Sequence, residues 1–230
     1  MNKLNRVVSL LVIIGIGSGT LDVPSASAQS PPSPAMTNGG ASENNGMKHV
    51  NVSLTDTVLG IHVDSPPVAP VIMTSGLQAN FEPAKFDVLE GVYFNAQHGW
   101  LPTGFFAPLP QDASLWIRRI GATQPAGSSF KVYEAGNMME GMASWTMNEI
   151  YAADGATWRW DGLMQHDYFT ADLPGEYSMS FEVYVGDGTG SPLAEYSAAS
   201  TTLQFLAVPE PTGGWLFLAG VALVYRVRRR

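Results

Sequence analysis

Four histidines and an aspartate are the residues of this chain best suited to holding an ion: His49, His62, His98, His166 and Asp64. Imidazole nitrogens and carboxylate oxygens are ordinary zinc ligands. With no cysteine in the chain, a metal site would have to be built from them, from methionine or from backbone oxygens. The stretch KHVNVSLTDTVLGIHVDS reads as a hairpin turning between Thr55 and Asp56. In that register His49 stands opposite His62, Val50 opposite Ile61 and Val52 opposite Leu59. Directly opposed Cβ atoms lie about 4.5–5.5 Å apart, close enough for two imidazoles to share one ion. Asp64 follows His62 on the same face. His166 opens a further strand, and His98 falls in a loop between Asn95 and Trp100. His49, His62 and His166, with either His98 or Asp64, would make up a tetrahedral set for Zn²⁺.

The elements that must position these residues are strands. GEYSMSFEVYVG, residues 175–186, alternates Tyr177, Met179, Phe181, Val183 and Val185 with polar neighbours, a period of two with one buried face. A run over 196–208 completes a terminal hairpin with it. Further strands are expected at 48–54, 57–64, 88–95, 114–120, 130–134, 157–161 and 166–171, separated by Gly- and Pro-rich turns. Many short alternating strands predict an all-β, antiparallel immunoglobulin-like sandwich. Asp172-Leu173-Pro174-Gly175-Glu176-Tyr177 fits the tyrosine corner of such folds, which gives Tyr177 a structural role.

The ends of the chain point to export. Residues 1–28 carry a basic start (Lys3, Arg6), an apolar run and an Ala26-Ser27-Ala28 cleavage site, so the mature chain is expected to begin at Gln29. Residues 29–47 are rich in Pro, Gly, Ser and Asn and form a linker. Residues 48–208 suffice for one hydrophobic core. Residues 209–230 hold Pro209-Glu210-Pro211, a thirteen-residue apolar run, and a cluster ending in Arg228, Arg229 and Arg230. At about 1.5 Å per residue that run spans about 20 Å as a helix, short of a bilayer core of about 30 Å. This three-part tail resembles the PEP-CTERM sorting signal of exported Gram-negative proteins. The resemblance implies an exosortase-type processing enzyme as partner, the inner membrane as a transit station, and the outer surface or extracellular matrix as destination. An ordinary tail anchor is the alternative.

Charge narrows the partners. The chain has 12 Lys and Arg against 20 Asp and Glu. Within 48–208 the count is six against seventeen, a formal charge of −11. Such a surface repels phosphate backbones and excludes nucleic acid. No His-Glu-x-x-His helix, Gly-x-Ser-x-Gly elbow or cysteine nucleophile is present, so a non-enzymatic role is expected. Asp161 and Asp167 could serve as a glycosidase acid and base, but carboxylates are too plentiful for the pair to be specific. Trp158 and Trp160 share one strand face, either core or a platform for an extracellular polysaccharide. Four methionines between Met138 and Met147 could serve Cu(I), but more often fill gaps. The Asp187–Gly190 turn lacks calcium-loop spacing.

HVNVSL…IHVDS, GWLP, ASLWIRRIG…FKVYEAG and WRWDGLMQHDYFTADLPGEYSMSFEVYV together resemble the choice-of-anchor M surface-protein domain. Some members of that family are associated with zinc or manganese uptake. The resemblance implies metal handling, with His49 and His166 matching the family's recurrent histidines. Where other members often have a second histidine near the latter, this chain has Asp167 or Tyr168. The expected protein is thus an exported, cell-envelope β-sandwich with a histidine zinc site. Its alternative is a structural or carbohydrate-binding surface component without metal.

Overall fold

The computed structural model describes residues 46–65, 69–75, 81, 83–105, 108–135 and 146–209. The expected signal peptide, most of the expected linker, the Met-rich segment up to Trp145 and the tail beyond Pro209 lie outside them. Among the described residues there are thirteen strands and one 3₁₀ helix, Ala84–Leu89, and no helix is long and apolar enough to cross a membrane.

Alternation is the local cause of the architecture. In β12 (Gly175–Gly186) Tyr177, Met179, Phe181, Val183 and Val185 are all buried, while Ser178, Ser180 and Glu182 are half-buried. β12 pairs along most of its length with β13 (Ala199–Val208), the expected terminal hairpin, and on its other side with β6 (Ser114–Thr123). The tyrosine corner is present: the Tyr177 hydroxyl donates to the Leu173 carbonyl at 2.7 Å. The antiparallel immunoglobulin-like sandwich read from the sequence is therefore the fold, with two pairings that run parallel.

A nine-stranded sheet runs β8 (Glu149–Ile150), β7 (Phe130–Tyr133), β11 (Tyr168–Ala171), β4 (Tyr93–Asn95), β3 (Val71–Ser75), β13, β12, β6, β9 (Thr157–Trp160). It curls until its ends nearly meet. Trp158 Nε1 of β9 donates to Glu134 Oε1, just past β7, at 3.2 Å, and Arg119 Nη1 of β6 donates to the Tyr151 carbonyl at 3.1 Å. A four-stranded sheet, β10 (Gln165–His166), β5 (His98–Phe105), β1 (Lys48–Thr55) and β2 (Val58–Val63), packs against it. Phe169, Phe181, Phe205 and Trp100 fill the space between, with Phe169 and Phe205 stacked at 4.6 Å.

One corner joins the sheets. β4 continues into β5, and β10 into β11, so the same antiparallel pair passes from one sheet to the other. Asn95 pairs with Phe169 and Gly99 with His166. Between those pairs three residues, 96–98, oppose two, 167 and 168. An extra residue of this kind kinks the pair and frees a carbonyl from the ladder. Buried Asn95 secures the bend: its amide donates to Ile72 O and Gln97 Oε1, and its Oδ1 accepts from Gln97 N.

Several expectations need correction. The 88–95 strand is a 3₁₀ helix, whose Phe86 and Leu89 are buried, followed only at Tyr93 by strand. The 166–171 strand breaks at Asp167, where the chain changes sheets. His98 begins β5 rather than lying in a loop. The first hairpin turns at Asp56-Thr57, not Thr55-Asp56, because Asp56 adopts a φ of 53°, a left-handed conformation that aspartate tolerates better than most residues. That displaces the register by two residues, so Asn51, not His49, faces His62. Every side chain keeps its expected face, because the period of a strand is also two.

Two groups charge against their burial. Burial, with repulsion from Lys48 and His166, pushes the His98 imidazole down to about 3. Burial pushes the Asp167 carboxyl up to about 7, against hydrogen bonds from Gln165 and the Ala135 N–H. A histidine held below its unfolded value of 6.5 costs stability as pH falls from there. A carboxyl held above its unfolded 3.8 costs stability as pH rises from there towards about 7. Between about pH 4 and 6.5 the two slopes oppose one another. Asp167→Asn should therefore lose stability on acidification through that window, and His98→Phe on alkalinisation. Urea midpoints at three pH values check this, and parallel profiles in both variants would refute it. Phe181→Asp should prevent folding, since an unpaired carboxylate would enter the core. Tyr177→Phe should cost about 1 kcal/mol, the worth of one hydrogen bond, measurable by denaturant titration.

Candidate functional site

Across the four-stranded sheet one row reads His166, Gly99, His49, Asp64. His166 is the cross-strand partner of Gly99 on β10, and His49 its partner on β1. Asp64, just past β2, closes the row: its N–H donates to the His49 carbonyl at 2.9 Å. Alternation puts all four on the face turned away from Val50, Val52 and Trp100.

Gly99 matters because it lacks a side chain. A Cβ there would lie within 3.0 Å of three atoms of the His166 ring. The ring lies over the glycine, and the His49 and His166 centroids stand 5.8 Å apart, edge to face. Two imidazoles on one tetrahedral zinc, with Zn–N near 2.0–2.1 Å, have centroids about 5 Å apart.

Each ring is oriented through Nδ1. His49 Nδ1 donates to Asp64 Oδ2 at 2.9 Å, and the His49 backbone N–H reaches the same oxygen at 3.1 Å. Asn51 Nδ2 donates to Asp64 Oδ1 at 2.7 Å. Partial burial pushes the Asp64 carboxyl up, but these hydrogen bonds outweigh it and hold the group below the usual carboxylate range. His166 Nδ1 donates to the Ala96 carbonyl, freed at the corner, at 2.9 Å. Burial lowers the His166 pKa; the Ala96 bond opposes the shift and neighbouring His49 adds to it. With a carboxylate and a carbonyl as acceptors, the proton of each neutral ring sits on Nδ1 and the lone pair on Nε2. Oxygen acceptors behind histidine ligands orient metal-binding imidazoles in this way. His166 Nε2 is buried and has no hydrogen-bond partner.

The other expected ligands do not join them. His62 is exposed and faces Asn51, diagonal to His49. His98 lies on the opposite face of β5, its ring against Phe205 at 5.2 Å. Asp64 serves through His49 rather than beside it. Among the described residues no three of His, Cys, Asp and Glu converge as a metal group, so the four-ligand set is reduced to a pair.

The remaining expectations resolve on burial. Trp160 is buried and Trp158 partly so, both against the core, because their shared strand face turns inward. They form no exposed sugar platform. Asp161 sits exposed in a turn, its Oδ1 accepting from Leu163 N, whereas Asp167 is inside, so they make no acid–base pair. Asp187 Oδ1 is taken up by Thr189 and Ser191 within its own turn. Sequence reasoning missed Gly99, for which the only signal was a glycine following a histidine in what read as a loop. No protein-family model matches the chain, and no protein of curated function matches it.

Proposed function

We propose that this chain is an exported, non-enzymatic β-sandwich protein of the cell envelope that binds a divalent transition metal, zinc foremost, between His49 and His166. The observation that carries the reading is the row of two imidazoles across Gly99, each with Nδ1 tied to an oxygen and Nε2 left as the lone-pair nitrogen. Solvent or a small anion completes the coordination. The acidic surface draws cations towards it. The Pro209-Glu210-Pro211 tail and the N-terminal leader place the domain outside the cytoplasm after processing by an exosortase-type enzyme.

Titration calorimetry with Zn²⁺ at pH 7.5 should give one site. His49→Ala and His166→Ala should each weaken it at least tenfold, about 1.4 kcal/mol. Asp64→Asn should weaken it about 10- to 100-fold, through the orientation of His49. His62→Ala should leave it within twofold. Gly99→Ala, which drives a methyl into the His166 ring, should abolish binding. A wild type that takes up no zinc, or a His166→Ala variant that binds like wild type, ends this reading. Coordination needs neutral rings, so affinity should fall on acidification. Because burial holds His166 below the ordinary imidazole range, proton competition at that ring should set in at lower pH than at a free imidazole.

Intact-mass measurement of the protein from its native envelope should find the N-terminus near Gln29 and no Arg230. An uncleaved C-terminus in the membrane fraction would make the tail a simple anchor.

A further inference from the structure

The two imidazoles of the row are unevenly open. His166 is 7 % exposed and its Nε2 has almost no surface open to solvent, whereas the His49 side chain is 23 % exposed. An ion arriving from solution therefore meets His49 before His166. It also arrives carrying ligands that it must shed on the way in.

His62 stands where that exchange would begin. Alternation turns it to the same face of the four-stranded sheet as His49, Asn51 and Asp64. Its cross-strand partner is Asn51, which makes His49 its diagonal neighbour. Diagonal Cβ atoms lie about 7–8 Å apart, within reach of long and aromatic side chains. His62 is exposed, and among the described residues no hydrogen bond or ion pair holds its ring. Its imidazole can therefore turn to solvent or towards His49. The rings of His49 and His166, by contrast, are each held through Nδ1. Keeping a metal would cost His62 rotamer freedom that the two held rings have already given up. That makes it a poor resting ligand and a good transient one.

We propose, resting on the zinc reading of the pair, that His62 is its entry and exit ligand. One Zn–N bond to His62 forms as a soluble chelate releases one of its donors. That bond breaks as the Zn–N bond to His49 forms, and the remaining chelate donors leave as His166 takes its place. The imidazoles act as neutral donors throughout, so neither oxidation nor net proton transfer accompanies the exchange. His62 is absent from the final complex, so it alters capture and release by the same factor and leaves the affinity unchanged.

The test is the rate at which the zinc-loaded mature chain gives up its ion to excess pyridylazoresorcinol, followed by stopped-flow absorbance. With wild type the rate should rise with reagent concentration, because the reagent attacks zinc held on His62. His62→Ala should slow transfer about tenfold while the calorimetric Kd stays within about twofold. His62→Phe, which keeps a ring but no lone pair, should be as slow. Loss of zinc binding in wild type would remove the pair itself and this inference with it. Zinc binding with unchanged transfer rates in His62→Ala would overturn the entry role and leave the pair standing. A Kd weakened about tenfold or more in His62→Ala would also overturn it, by making His62 a resident ligand.

Discussion

The bend at residues 96–98 and 167–168 is the constraint on which the rest of the structure depends. A strand pair that crosses from one sheet to another must interrupt its ladder, and each interruption leaves polar backbone to satisfy. The Ala96 carbonyl, released there, becomes the acceptor for His166 Nδ1. Asn95 and Gln97 take up neighbouring groups, and Gln97 Nε2 carries the network on to the Gly46 carbonyl at 2.7 Å. Asp167, at the crossing point on the other strand, is drawn inside, where Gln165 and the Ala135 N–H hold one oxygen. The orientation of His166, the burial of Asp167 and the inward turn of His98 thus share one geometric cause.

Legibility in the sequence follows the strength of the local pattern. β12 was readable from end to end because five apolar residues alternate without exception. Tyr177 was readable because a Leu-Pro-Gly approach leads into it. The faces of the first hairpin were readable from Val50, Val52 and Leu54, but its register was not. A left-handed Asp56 moves the turn by one residue, and no periodicity encodes that choice. β5 was hidden by composition: HGWLPTGF holds two glycines and a proline, residues that argue against a strand. Its place is fixed instead by β1 on one side and β10 on the other. The site shared both fates. His49 and His166 could be named from residue type and resemblance, whereas the glycine that lets them meet could be found only from the cross-strand row.

The acidic balance of the domain and the chemistry of the row act at different ranges. Seventeen carboxylates on the domain raise the local concentration of cations but confer no selectivity, and salt screens their field within about 10 Å. In the proposed site selectivity would come from the two imidazoles, whose borderline-soft nitrogens favour transition metals over calcium or magnesium. Asp64 belongs to the second range despite its charge. Both its oxygens are already engaged, with Asn51 and with His49. Its effect therefore passes through the His49 ring, by orienting it and making it more basic.

Strand alternation sets two chemically different surfaces back to back with one residue between them. Lys48 and His98 turn inward and are each 3 % exposed; His49 and Gly99, their immediate neighbours, face the row. Asp64 closes the row from its outer end, taking both the backbone N–H and the ring Nδ1–H of His49. What it can contribute to a metal held by the pair is bounded, because an oriented outer-shell carboxylate is worth about 10- to 100-fold in metal affinity. In the proposed site Asp64 therefore tunes an affinity that the two imidazoles must supply.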